Sequence, residues 1–316
     1  MSGRAGLLAF WTGLAVMAAV FLLFDSGLDF DYIIPRRLAK LAAMVIGGIA
    51  VGLSSIVFQT LAGNRVLTPA VMGYEAVYLL LQSLLVLMLG TSSLVLLGDY
   101  GNFLVSILLM LAYSLAVHRW LFSDRQADIG YPLLIGLVLT LIIGTFTQFV
   151  QLRISPGEFA IFQGFALVSF DRVEWGRILW SGGLVAAVCV AGRPSLPVLD
   201  VLALGRDQAV SLGVDHHRHV RFLLALVAVL VAVSTSLIGP TAFMGIFVAN
   251  LAYACARSGR HRLTLPLGCA IAVGMFLAAQ LAVEHVFNYR TTVGILINLV
   301  CGAWFLALTL RFRDIA

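Results

Sequence analysis

The stretch LAKLAAMVIGGIAVGLSSIVFQTLA, residues 38–62, carries one charged side chain, Lys40, at its start. A helix rises about 1.5 Å per residue and a bilayer core takes about 20 mostly apolar residues. This stretch is therefore long enough to span one. Small residues, Gly47, Gly48, Ala50, Gly52, Ser54 and Ser55, cluster along it. Such a face lets helix backbones approach closely, and we read it as packing inside a bundle rather than as a dimer seam.

The same signature recurs outward in both directions, at 6–24, 70–89, 102–121, 131–150, 177–192, 220–238, 241–256, 263–283 and 292–310, which predicts ten spans. Hydrophobic residues make up 61% of the 316 and charged residues 11%, against about 25% charged in a soluble domain. The expected fold is an all-α polytopic membrane protein, one transmembrane domain over residues 1–316. Two segments are irregular: 70–89 carries Glu75 and Gln82, and 241–256 is short and follows Gly239-Pro240. Either is expected to be broken or to enter the membrane only partly, as interrupted helices do beside a protein-lined path. The first stretch is too long for a signal peptide's apolar region and is read as a retained helix.

Orientation follows from Lys and Arg. Arg36, Arg37, Lys40, Arg153, Arg172, Arg177 and Arg290 fall on one side, and the remainder of the 20 cations fall on the other. The positive-inside rule then places both termini in the cytoplasm of a multi-pass inner-membrane protein. The net charge of +5 is accounted for by this asymmetry and calls for no nucleic acid. The four cysteines fall singly in apolar stretches without metal or redox spacing.

Two loops exceed what connection requires. The outer one, about 151–176, contains Pro156-Gly157 and an amphipathic run from Glu158 to Phe170, expected to lie along the interface. The inner one, about 193–219, places Leu199, Leu202 and Ala203, then Ala209, Val210 and Leu212, at helical spacing around Gly205. It predicts two short amphipathic helices whose exposed apolar positions need a partner.

Three stretches carry a resemblance. IIPRRLAKLAAMVIGGIAVGLSSIVFQTLAGNRVLTPAVMG, with Pro35, Arg36, Gln59, Asn64, Pro69 and Gly73 at the matching positions, resembles the start of the iron–siderophore and cobalamin permeases of binding-protein-dependent ABC importers. VLALGRDQAVSLGV resembles the stretch of that family that contacts the ATPase. IGPTAFMGIFVANLAYACARSGRHR and NYRTTVGILINLVCGAWFL resemble its last third. Ala249-Asn250 stands where many members have Pro-His, and Asn64-Arg65 where Asn-Pro is usual. Both departures resemble the branch in which two different permease subunits import ferric siderophores, often catecholates.

The resemblance implies ten helices per subunit, a second permease subunit, two ATPase subunits, an outer siderophore-binding protein, and ferric siderophore as cargo. It also implies that Leu204, Gly205, Arg206, Asp207, Ala209, Leu212 and Gly213 couple to the ATPase. No GxxxxGK[ST] pattern occurs, so ATP and Mg²⁺ are expected on the partner and the chain is expected to be no enzyme. Arg36, Arg37 and Arg290 are candidates for docking the binding protein, against headgroup contact as the plain reading. Path-lining candidates are Gln59, Glu75, Gln82, Gln148, Asn250 and Asn298, each individually closer to helix–helix glue than to a ligand contact. Glu75, an intramembrane carboxylate, is expected near the inner interface, hydrogen-bonded to a neighbouring helix. His216, His217 and His219 sit beside Arg218 and Arg221, which oppose a metal. The rival readings are a homodimeric cobalamin or haem permease and a proton-coupled transporter using Glu75.

Overall fold

A computed structural model describes residues 3–24, 31–90, 98–121, 130–241, 243–256 and 258–313. The chain runs α1 (Gly3–Leu23), α2 (Ile33–Ala62), a 3₁₀ turn (Pro69–Met72), α3 (Tyr74–Leu89), α4 (Gly98–Leu121), α5 (Gly130–Gln151) and α6 (Pro156–Ala166). It continues through α7 (Trp175–Gly192), α8 (Leu196–Leu202), α9 (Arg206–Ser211), α10 (His216–Ile238), α11 (Met244–Ala256), α12 (His261–Leu281) and α13 (Val293–Arg313). Among the described residues, 6 helical segments are long and apolar enough to cross a membrane, and shorter apolar helices lie at Phe10–Leu23, Tyr74–Leu89, Met244–Ala256 and Val293–Ala307. Together they correspond to the ten expected spans. Of the cations assigned to the inner side, Arg125 and Arg257 lie outside the described residues.

The helix read first from sequence is the centre of the bundle. α2 packs against α12, α10, α11 and α7, and its glycines make this possible. A Cβ on Gly52 would lie 2.8 Å from the backbone N and Cα of Cys269, and one on Gly48 would lie 2.9 Å from the backbone N of Val273. The α2–α12 seam is thus a contact of two backbones, closer than any side chain permits. By contrast, α5 packs mainly on α3 and the 3₁₀ turn, and α13 on α11 and α12. Their outer faces, including Leu141, Phe146, Ile295 and Leu299, are uncovered.

The loop 151–176 forms α6, opened by a capping box in which Ser155 and Glu158 exchange hydrogen bonds. Two short helices, α8 and α9, form where the inner loop's periodicity places them.

Candidate functional site

At the inner face, Leu199, Leu202 and Ala209 turn into the core, while Leu204, Val210 and Leu212 are 55%, 56% and 63% exposed. One face of the α8–α9 pair is bound to the bundle and the other is an apolar surface beside exposed Arg206 and Asp207. The corner between them is Gly205, whose φ of 100° lies where a Cβ would be strained.

The pair is fastened to the membrane helices through Asp200. Its Oδ1 accepts the backbone N–H of His261 at 2.8 Å and lies 2.6 Å from His261 Nδ1. His261 Nε2 is 2.8 Å from Thr60 Oγ1, which is 3.1 Å from the Tyr253 hydroxyl. A proton on Nδ1 facing the carboxylate leaves Nε2 to accept from Thr60. One hydrogen-bonded chain therefore joins α8, α12, α2 and α11. Arg65 lies over the Tyr253 ring, 4.8 Å from its centroid, at the edge of an inner cleft of about 770 Å³ that Gln59, Thr60, Asp200, Leu204 and Tyr253 also line. Gln59 is buried there with neither amide atom bonded within the protein. The Asp200–His261 link had no signal in the sequence, since the two residues are 61 positions apart in the chain and no local pattern pairs them.

Midway through the membrane the chain breaks twice. Met72 O accepts from Tyr113 Oη at 2.9 Å, and Val71 O lies 3.0 Å from Thr140 Oγ1, whose one proton it shares with Gly136 O at 2.8 Å. Tyr113 precedes the inner end of α4 by about 12 Å of helix, and Thr140 follows the start of α5 by about 15 Å. The 3₁₀ turn is therefore re-entrant, and Glu75 just beyond it sits near the bilayer midplane. This corrects the expected placement at the inner interface, because a short loop whose carbonyls find donors inside the bundle need not return to water. Gly73 permits the close approach: its φ is 84° and a Cβ would stand 2.6 Å from the Tyr113 hydroxyl. Glu75 is hydrogen-bonded to a neighbour, as expected. Its Oε1 accepts the backbone N–H of Thr241 at 3.0 Å, just before α11, where the positive end of the helix dipole favours a carboxylate.

On the outer side, Lys40 lies 2.5 Å from Asp171 and 3.9 Å from Glu284, while Gln280 Nε2 donates to Glu284 Oε1 at 2.6 Å. Arg37 donates to the carbonyls of Phe21 and Phe24 at 2.8 and 2.5 Å and reaches 4.0 Å from Glu284. Its guanidinium is thus held within the chain. Arg36 and Arg290 are exposed at the rim, Arg36 with its guanidinium 4.7 Å from the centroid of the Tyr32 ring. Near Arg290, burial pushes the phenol of Tyr289 up, and the carboxylates of Glu284 and Asp171 push it the same way while Arg37 opposes them.

The polar candidates separate by surroundings. Gln82 exchanges hydrogen bonds with Asn102, both at 3.0 Å, and donates to Ser106, so it joins α3 to α4. Asn250 donates to Arg65 O and Ile246 O, both at 2.9 Å. Gln148 and Asn298 stand exposed on the uncovered faces of α5 and α13. Arg177, counted above among the cations of the outer side, lies in the first turn of α7 and is buried at 6% exposure.

Comparison with known proteins agrees with this architecture. The FecCD transport family matches residues 5–311. A petrobactin import system permease protein of Bacillus subtilis (strain 168), YclO, is 34% identical over 306 residues, covering 96% of each chain. The petrobactin import system permease protein FatC of Bacillus anthracis is 31% identical over 318 residues, covering 96% of this chain and 89% of its own. Among solved structures, an inward-facing ABC transporter assigned to the metal-chelate type shares the fold, with a TM-score of 0.85 at 18% identity over 98% of this chain and 100% of its own.

Proposed function

The chain belongs to the FecCD transport family as a multi-pass permease subunit of an ABC importer in the inner membrane, and we propose that its cargo is a ferric siderophore carried from periplasm to cytoplasm. ATPase and binding-protein partners come with that family. We assign to this chain a second, different permease subunit, two ATPase subunits binding ATP and Mg²⁺, and a siderophore-binding protein at the outer rim.

The observation that carries the reading is the α8–α9 pair, apolar outside and hydrogen-bonded inside through Asp200 to His261. An ATPase that moves the pair pulls on α12 and α2 through bonds rather than through a slack loop. Leu204 to Gly213 are the coupling residues, with Gly205 as the corner and Arg206 and Asp207 beside the contact. The second permease covers α5 and α13, which brings Gln148 and Asn298 to the path between subunits. A ferric siderophore chelates its own metal, so such weakly polar walls suffice and no iron ligand is required of this chain. Two relatives named for petrobactin import favour this cargo over cobalamin or haem.

Reconstitution in proteoliposomes with the ATPases, second permease and binding protein tests the proposal. Uptake of ferric petrobactin should require ATP and persist when the proton gradient is collapsed. Accumulation that ignores ATP and vanishes with the gradient would overturn it in favour of a proton-coupled carrier.

A further inference from the structure

Arg177 presents a problem that transport does not solve. It lies in the first turn of α7, at 6% exposure, and its Nε and Nη2 have no hydrogen-bond partner in the protein. An arginine cannot shed its proton to escape burial, and an unpaired buried charge is strongly destabilising. Something must answer it.

The surroundings narrow the choice. Arg177 lines a cavity of about 20 Å³ with Tyr78, Asn102, Ser106, Ser169 and Ser236, and among the described residues no carboxylate lines it. Among the described residues none forms an ion pair with Arg177. The Ser236 hydroxyl, near the outer end of α10, is likewise buried without a partner. Asn102 and Ser106 are already engaged by Gln82, so they do not compete for Arg177. Arg172, which lines the same cavity, adds a second positive charge; its own guanidinium donates to Gly164 O and sits over the Phe165 ring. Donors thus converge on a space that Arg177 makes positive, with no negative group in its wall among the described residues.

We propose that this cavity is an anion site that holds one monatomic anion, chloride in the cell, between the guanidinium of Arg177 and the hydroxyl of Ser236. Volume sets the class. A buried water needs about 10–15 Å³, so the space takes one small species, and sulfate, phosphate or an organic acid is too large. Water fits but leaves the charge uncompensated, whereas a halide supplies the missing sign and accepts from several donors at once. The bound ion would tie the outer start of α7 to the outer end of α10, fixing one end of the helix that leads into α8.

The test uses the detergent-solubilised wild-type protein in sodium chloride, sodium bromide and sodium gluconate at matched ionic strength. Halide should leave the melting temperature unchanged well below its dissociation constant and raise it by on the order of 2–4 °C for each tenfold increase above it, and gluconate should not raise it. Arg177→Met removes the charge as well as the donors, so it should lose the halide dependence. Ser236→Ala should shift it to higher halide concentration. Crystals grown in bromide should show an anomalous peak beside Arg177, a readout that does not depend on any variant folding. Equal melting in all three salts, or no bromide peak at Arg177, means an ordered water only and overturns the proposal. A bromide peak without halide-dependent melting marks an adventitious ion only and overturns it as well.

Discussion

The two ends of the α2–α12 pair are fastened in different ways. At the outer end the fastening is ionic: Lys40 and Arg37 of α2 face Glu284, which Gln280 of α12 also holds. At the inner end it is a chain of hydrogen bonds, Thr60 to His261 to Asp200, and its last member belongs to α8, in the pair proposed to couple to the ATPase. Between them runs the glycine seam, where backbone lies against backbone. A pair held at both ends with no compressible layer between is one rigid rod. In the proposed coupling, force applied at Asp200 is expected to arrive at the outer rim as displacement rather than be lost in side-chain rearrangement.

Breaking the rod has the largest expected effect. In Gly52→Leu the new side chain would meet the Cys269 backbone, which has no rotamer with which to yield. Overpacking costs about 1–3 kcal/mol even where side chains can shift, so monodisperse protein should be nearly absent on size-exclusion chromatography. Recovery of normal yield would show that the seam is looser than its distances.

Disconnecting the rod from the coupling helices comes next. Asp200→Asn or His261→Ala removes a charge-assisted bond of roughly 1.5–3 kcal/mol, about a tenfold or greater loss in coupling. Ferric siderophore moved per ATP hydrolysed should fall while the complex still assembles with its ATPases. An unchanged ratio would reduce the Asp200–His261 bond to local structure.

The outer rim sharpens the comparison through neighbours. Arg36→Glu and Arg290→Glu should slow binding-protein association several-fold in nanodiscs, with the wild-type rate falling as salt screens charges beyond about 8 Å. Arg37→Glu should instead lower thermal stability, because its guanidinium holds the carbonyls that end α1. Salt-independent association in wild type and both rim variants would defeat docking at these arginines.

The smallest effect is expected at the midpoint. Glu75→Gln keeps an oxygen for the Thr241 N–H and should retain most ATP-driven uptake in the proteoliposome assay. Loss of uptake in this variant, together with loss when the proton gradient is collapsed, would give Glu75 a proton-carrying role.

What was legible in the sequence is what short-range pattern encodes. Ten apolar segments, the amphipathic α6 and the corner at Gly205 all follow from periodicity and turn chemistry within a few residues. The depth of Glu75 did not, because it depends on Tyr113 and Thr140 supplying donors to carbonyls far from them in sequence. Arg177 at a helix start reads as a rim cation, and only the packing of α3, α4 and α10 around it shows otherwise. Gln82 and Gln148 look alike in sequence; one is locked to Asn102, the other stands on an uncovered face.

The re-entrant turn at Pro69–Met72 also constrains the order in which the protein is made. Its carbonyls at Val71 and Met72 are satisfied by Thr140 and Tyr113, which a ribosome reaches only after α3 is complete. Until α4 and α5 emerge, those groups must remain in water or in the translocon, since lipid offers them no donor. The first three helices therefore cannot settle one by one. Docking of this turn is thus expected to wait on α4 and α5, and a chain truncated at residue 90 and released from the ribosome should expose the segment to quality-control proteases.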